Sequence, residues 1–168
     1  YSKVEKLSKS ANLSESVYNQ AVKLGEAGKI QESLNLLNQI KGNYAKAKTL
    51  YDSMNSFHKK VSLWLGTWKH RGTVNGEKTT YYITFSEVLY KGEPCIKIKD
   101  MNNKSLGYDV EISSKNHITQ IEVGKYMIHF KLKNNHNQKL TYTLLEGKKM
   151  LRELKYEGVT YKTKYKKK

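Results

Sequence analysis

Val61-Ser62-Leu63-Trp64-Leu65-Gly66-Thr67-Trp68 is the stretch in which the period of the apolar residues changes. Before it, apolar side chains recur at spacings of three and four. After it, they alternate with polar ones in short runs that end at Gly or Asn. The first spacing keeps residues on one face of a helix, and the second keeps them on one face of a strand. The stretch therefore divides a helical segment, residues 1–61, from a β segment, residues 62–168. The expected class is α+β: an antiparallel helical hairpin or three-helix unit, then an antiparallel up-and-down β-barrel of about eight or nine strands.

Upstream, Asn12-Leu13-Ser14-Glu15 reads as a capping box. An Asn side chain there can accept from the backbone of Glu15 while the carboxylate reaches back. A first helix is expected from this point, with Leu13, Val17, Ala21 and Leu24 on one face. A second is expected over 29–40, with Ile30, Leu34, Leu37 and Ile40 inward, closed by Gly42-Asn43. A third over 44–60 carries Ala47, Leu50, Tyr51, Met54 and Phe57, followed by Val61. Positions Val17, Ala21, Leu24, Gly28, Ile30, Ser33, Leu37 and Ile40 resemble one tetratricopeptide repeat, with the third helix opening a second. Ser33 stands where that family usually has Ala. One and a half repeats fall short of the roughly three that a stable solenoid needs. The segment is therefore expected to support the second domain rather than to form a peptide groove.

Downstream, Tyr81, Ile83 and Phe85 alternate with Tyr82 and Thr84, and Ile96 and Ile98 with lysines. Tyr108, Val110 and Ile112 continue the pattern. The slip between Ile118 and Ile121 predicts a bulge. Further alternating runs start at Tyr126, Leu140, Met150 and Val159, and the connectors Asn75-Gly76, Lys91-Gly92, Glu146-Gly147 and Glu157-Gly158 are turn pairs.

Leu65-Gly66-Thr67-Trp68, following a helix and opening such a meander, resembles the first-strand signature of lipocalin-like (calycin) barrels. The resemblance implies that Trp68 plugs the closed end and that a late basic residue, Arg152, packs over its indole. A desolvated contact of that kind is worth up to about 2 kcal/mol. It also implies an interior lined by Tyr81, Phe85, Tyr108, Tyr126, Phe130 and Tyr142. An eight-strand barrel is just wide enough to be filled by side chains or to hold one small ligand. Aromatics this large weigh towards filling.

The 168 residues carry a formal charge of +16. The first 60 hold 10 lysines against 5 acids, and the remainder 21 Lys and Arg against 10. An anionic partner is one reading. The plainer one is lysine used as a general solubiliser, because Lys outnumbers Arg 29 to 2 and phosphate readers favour the bidentate Arg fork. The closing run Tyr161, Lys162, Lys164, Tyr165, Lys166, Lys167, Lys168 is the candidate anionic-partner segment.

Cys95 is alone, which excludes an internal disulfide and a multi-cysteine metal site. His70, His117, His129 and His136 lack one-face metal spacing. Neither a metal nor a cofactor is expected. No nucleophile–base–acid set stands out, and Cys95 reads as a packing residue, so the chain is not expected to be an enzyme.

The chain is similar to uncharacterised lipoproteins of Gram-positive bacteria. That resemblance implies an extracellular, surface-anchored, monomeric protein. It would touch membrane only through a lipid anchor outside this chain, and would bind a small apolar or amphiphilic ligand or a protein. Two alternatives stay open: a binder of an anionic polymer, such as teichoic acid or nucleic acid, through the basic β domain, and an adaptor acting through the helical hairpin.

Overall fold

The computed structural model describes residues 2–101, 110–112, 118–132 and 139–168. Three helices and nine strands lie among them. The helices are α1 (Ser2–Glu26), α2 (Ile30–Ile40) and α3 (Ala45–Val61). The strands are β1 (Gly66–Val74), β2 (Glu77–Tyr90), β3 (Glu93–Met101), β4 (Val110–Ile112), β5 (Ile118–Val123), β6 (Met127–Leu132), β7 (Lys139–Leu145), β8 (Lys149–Tyr156) and β9 (Val159–Lys167).

The expected α+β class is borne out. Two of the three helices begin within a residue of their expected positions, but α1 starts about ten residues early. Asn12 and Glu15 sit inside it rather than at its start. The run before them contains neither Pro nor Gly, and Lys, Ala and Leu sustain a helix well.

The chain divides into two compact units. The first joins residues 1–59 to Glu87–Cys95, and the second joins Lys60–Ser86 to Ile96–Lys168. The tip of the β2–β3 hairpin, counted with the barrel in the division at residue 61, thus clusters with the helices. The first unit is built on Ala21, Ile30, Leu34, Leu37, Ala47, Leu50, Met54 and Leu89. Ser33 is fully buried there and donates to the carbonyl of Ala21 at 2.7 Å. A small polar residue at this point lets α2 approach α1 closely and still satisfies its own hydroxyl. Gly28 takes φ +79° in the turn between α1 and α2, a conformation open to glycine.

In the second unit, successive strands are neighbours and β1 pairs with β9. The order β4-β3-β2-β1-β9-β8-β7-β6-β5 is an all-antiparallel meander. It curls into a half-barrel compatible with a lipocalin-like fold. Among the described residues no pairing joins β4 to β5, so these form the sheet's two edges. The predicted bulge is present, as a register shift between Ile118 and Gln120. Asn75-Gly76, Lys91-Gly92 and Glu157-Gly158 all have positive φ at both residues, the type I′ geometry that matches the twist of a two-residue hairpin.

Candidate functional site: the inner and outer faces of the half-barrel

Among the described residues, the inner face carries a cluster of buried aromatic and aliphatic side chains. Trp68 is 1 % exposed and its Nε1–H donates to the carbonyl of Trp64 at 2.9 Å. Trp64 is itself fully buried, donates through Nε1–H to the carbonyl of Gly124 at 3.1 Å, and meets Phe85 at 5.4 Å between ring centroids. Trp64 and Trp68 thus form a buried, hydrogen-bonded pair of indoles. Trp64 went unassigned in the sequence because it precedes the strand. Its spacing of four from Trp68 was the available signal. Phe85 and Tyr142, both buried, meet edge to face at 5.3 Å. Ile83, Ile98, Ile128, Leu140, Met150 and Tyr165 complete the layer.

Of the six aromatics expected to line the interior, Phe85 and Tyr142 are this buried pair, and two others with described side chains lie elsewhere. Tyr81 is half-buried and stacks on His70 at 5.9 Å, and Tyr126 is 57 % exposed. Tyr108 lies outside the described residues, as does the side chain of Phe130, whose backbone pairs with Ile121 and Leu140. Arg152 is buried and opposite Tyr142 in register. Over the Trp68 indole stands Lys167, with Nζ 5.4 Å from the ring centroid and a hydrogen bond of 3.0 Å to the carbonyl of Leu63. Desolvation, then the charge of Lys148, holds the Lys167 ammonium below its ordinary range. Lys167 thus supplies a cation over the Trp68 indole.

The outer face has a different chemistry. On β9, Tyr165 is buried and Lys167 half-buried, while Lys162, Lys164 and Lys166, with Lys168 just past the strand's end, are exposed. The three on the strand stand about 6.7 Å apart along one face. Lys166 is directly opposite Lys149 of β8 on one side and Lys69 of β1 on the other, and Lys69 in turn faces Tyr82 of β2. A second like-charge pair, Lys139 and Lys155, joins β7 to β8. The four adjacent strands β7, β8, β9 and β1 carry one acid, Glu153, against ten Lys and Arg, eight of them besides the inward Arg152 and Lys167. That acid pairs with Lys162 at 3.1 Å.

Like charges directly opposite one another destabilise a sheet. Two unit charges about 6 Å apart in water repel by about 0.7 kcal/mol before salt screening. Lysine used merely for solubility would be interspersed with acids, as it is in the first 60 residues. Here it is concentrated, opposed across strands and almost without counter-charge.

Other chemistry is sparse. Among the described residues no three His, Cys, Asp or Glu side chains gather as a metal site. Nδ1–H of His70 donates to the carbonyl of Lys164 at 2.9 Å. Cys95 is buried. Among the described residues no helix is long and apolar enough to cross a membrane. No family model matches the chain, and no curated protein or solved structure matches it.

Proposed function

We propose that this chain is a non-enzymatic binder of phosphodiester polymers, which it engages through the outer face of β7, β8, β9 and β1. The observation that carries this reading is the transverse row Lys149–Lys166–Lys69, three lysines opposed across neighbouring strands. A polyanion laid along the row converts mutual repulsion into attraction and releases the polymer's condensed counterions. Lysine supplies point charges without a bidentate fork, so recognition follows charge spacing rather than base sequence. Nucleic acid and teichoic acid share this chemistry. Phe85 and Tyr142, in contact at 5.3 Å, occupy part of the interior, while the lysine row stands on the outer face, which supports the outer face as the binding surface. Export to a cell surface, where teichoic acid lies, belongs to the same proposal. It is checked by locating the protein in fractionated cells.

The test is salt-dependent binding of fluorescent oligothymidylate and of purified teichoic acid between 50 and 300 mM salt. Affinity falls steeply with salt for at least one polymer. Replacing Lys69, Lys149 and Lys166 by Gln lowers the log–log slope by about 2, at roughly 0.7 per contact for a single strand. A salt-independent affinity, or a slope untouched by the triple replacement, refutes the proposal. Tight binding of one polymer alone identifies the source of the phosphodiester.

A further inference from the structure

Within the helical unit, one buried group has no partner for part of its charge. Ile83, Phe85, Glu87 and Leu89 occupy one face of β2 and all four are buried. Three are apolar and the fourth is a carboxyl. The Glu87 side chain is 2 % exposed, and its Oε2 lies 2.7 Å from Nδ1 of His58 on α3. Its Oε1 is fully buried with no hydrogen-bond partner among the described residues. Unsatisfied buried oxygens of this kind are uncommon, and an ionised one is costly. Two residues further on, Leu89 enters the helical core, touching the position where a Gly25 side chain would stand. The hairpin tip is therefore seated on the helices by an apolar anchor with a carboxyl beside it.

We propose that Glu87 is a proton-controlled latch: with the carboxyl neutral the β2–β3 hairpin tip is held on the helical unit, and with it ionised the tip opens far more often.

Burial pushes the Glu87 carboxyl above its ordinary value of 4.5, and the hydrogen bond and charge of His58 offset only part of that rise. The docked state thus holds a proton that the opened state releases. Docking is strongest below the ordinary carboxyl value and weakens as pH rises through the raised one. The other charged groups on the packed elements include Lys23, Glu26 and Lys29 on α1 and its turn, Glu32 on α2, Lys46, Lys48, Asp52 and Lys59 on α3, and Lys91 and Glu93 on the hairpin. All are exposed, and His58 supplies the charge that acts on Glu87.

The test is amide hydrogen exchange of residues 87–95 in the full chain across this pH range, corrected for intrinsic exchange chemistry. In the unmodified protein, protection falls by up to about tenfold per pH unit through the titration, the slope of one proton. Glu87→Gln, which cannot ionise, gives a flat profile. A pH-independent profile in the unmodified chain, or an equal fall in Glu87→Gln, overturns the proposal. His58→Gln keeps a donor and removes the charge, so the transition moves to higher pH, and an unmoved transition also counts against it. If Glu87→Gln fails to fold, the carboxyl carbon of Glu87 is titrated by NMR in the unmodified chain. A midpoint above 4.5 that coincides with the loss of protection supports the latch, and a midpoint at or below 4.5 refutes it.

Discussion

Replacing Trp68 by alanine removes a fully packed indole from the end of the half-barrel, and its cost follows from the contacts. The ring is 1 % exposed, and truncating a buried Trp to Ala typically costs about 3–5 kcal/mol in lost transfer energy and residual cavity. The indole N–H bonded to the Trp64 carbonyl adds the desolvation of an orphaned acceptor, about 1–3 kcal/mol when no water reaches it. The Lys167 ammonium over the ring adds about 0.5–1 kcal/mol. Partial collapse of the site offsets some of this, so a loss of about 4–5 kcal/mol is expected. Both indoles of the chain, Trp64 and Trp68, lie in the β unit, so Trp64 fluorescence follows that unit in the variant. With a urea slope of about 2 kcal/mol per molar, the midpoint falls by about 2 M. Trp68→Phe retains a ring without the donor and loses only about 1–2 kcal/mol. A loss below about 1 kcal/mol for Trp68→Ala would refute the tight packing of this indole.

Three further outcomes follow from named contacts. A methyl added at Gly25 would stand 3.0 Å from Cβ of Leu89. Gly25→Ala should therefore destabilise the helical unit by about 1–3 kcal/mol by overpacking, against the gain of about 0.5–1 kcal/mol usual within a helix; a raised melting temperature at 222 nm would contradict the close approach. Ser33→Ala removes the hydroxyl bonded to the Ala21 carbonyl and should cost about 1 kcal/mol, whereas Ser33→Val should cost more, since nothing near Ser33 yields space; equal urea midpoints for the two variants would argue against tight packing. Lys166→Glu places an acid between Lys149 and Lys69. The polymer-free protein should gain a few tenths of a kcal/mol at low ionic strength, the gain should vanish in 0.5 M salt, and a low-salt loss in calorimetry would mean that the ladder carries no repulsion.

Much of the fold was readable because the deciding signals are local. The turn pairs and the change of period depend on near neighbours, and the bulge at Ile118 showed as a slip of one in the alternation. The β1–β9 pairing followed only from the closure expected of so regular a meander, since nothing near Trp68 encodes Lys167. The lysine face was half visible. Alternation in the last strand showed the exposed lysines, but their opposition to Lys149 and Lys69 is a matter of register. The role of Glu87 was hidden for another reason. A sheet face normally has one environment, yet β2 runs on from a core of strands into a core of helices. The acid set among Ile83, Phe85 and Leu89 was the clue, and its meaning depends on His58, far away in sequence.

The seam of the sheet also bears on synthesis. Trp68 leaves the ribosome long before Lys167, its neighbour across β1 and β9. About a hundred residues separate them, a wait of roughly 5–20 s at ordinary elongation rates. During that interval β1 can pair only with β2, which itself goes on to pair with β3. The helices complete their own sequence much earlier, yet they receive Leu89 only when the hairpin tip has emerged. Vectorial folding of this chain therefore proceeds by waiting, with its first strand unpartnered on one side until its last has been made.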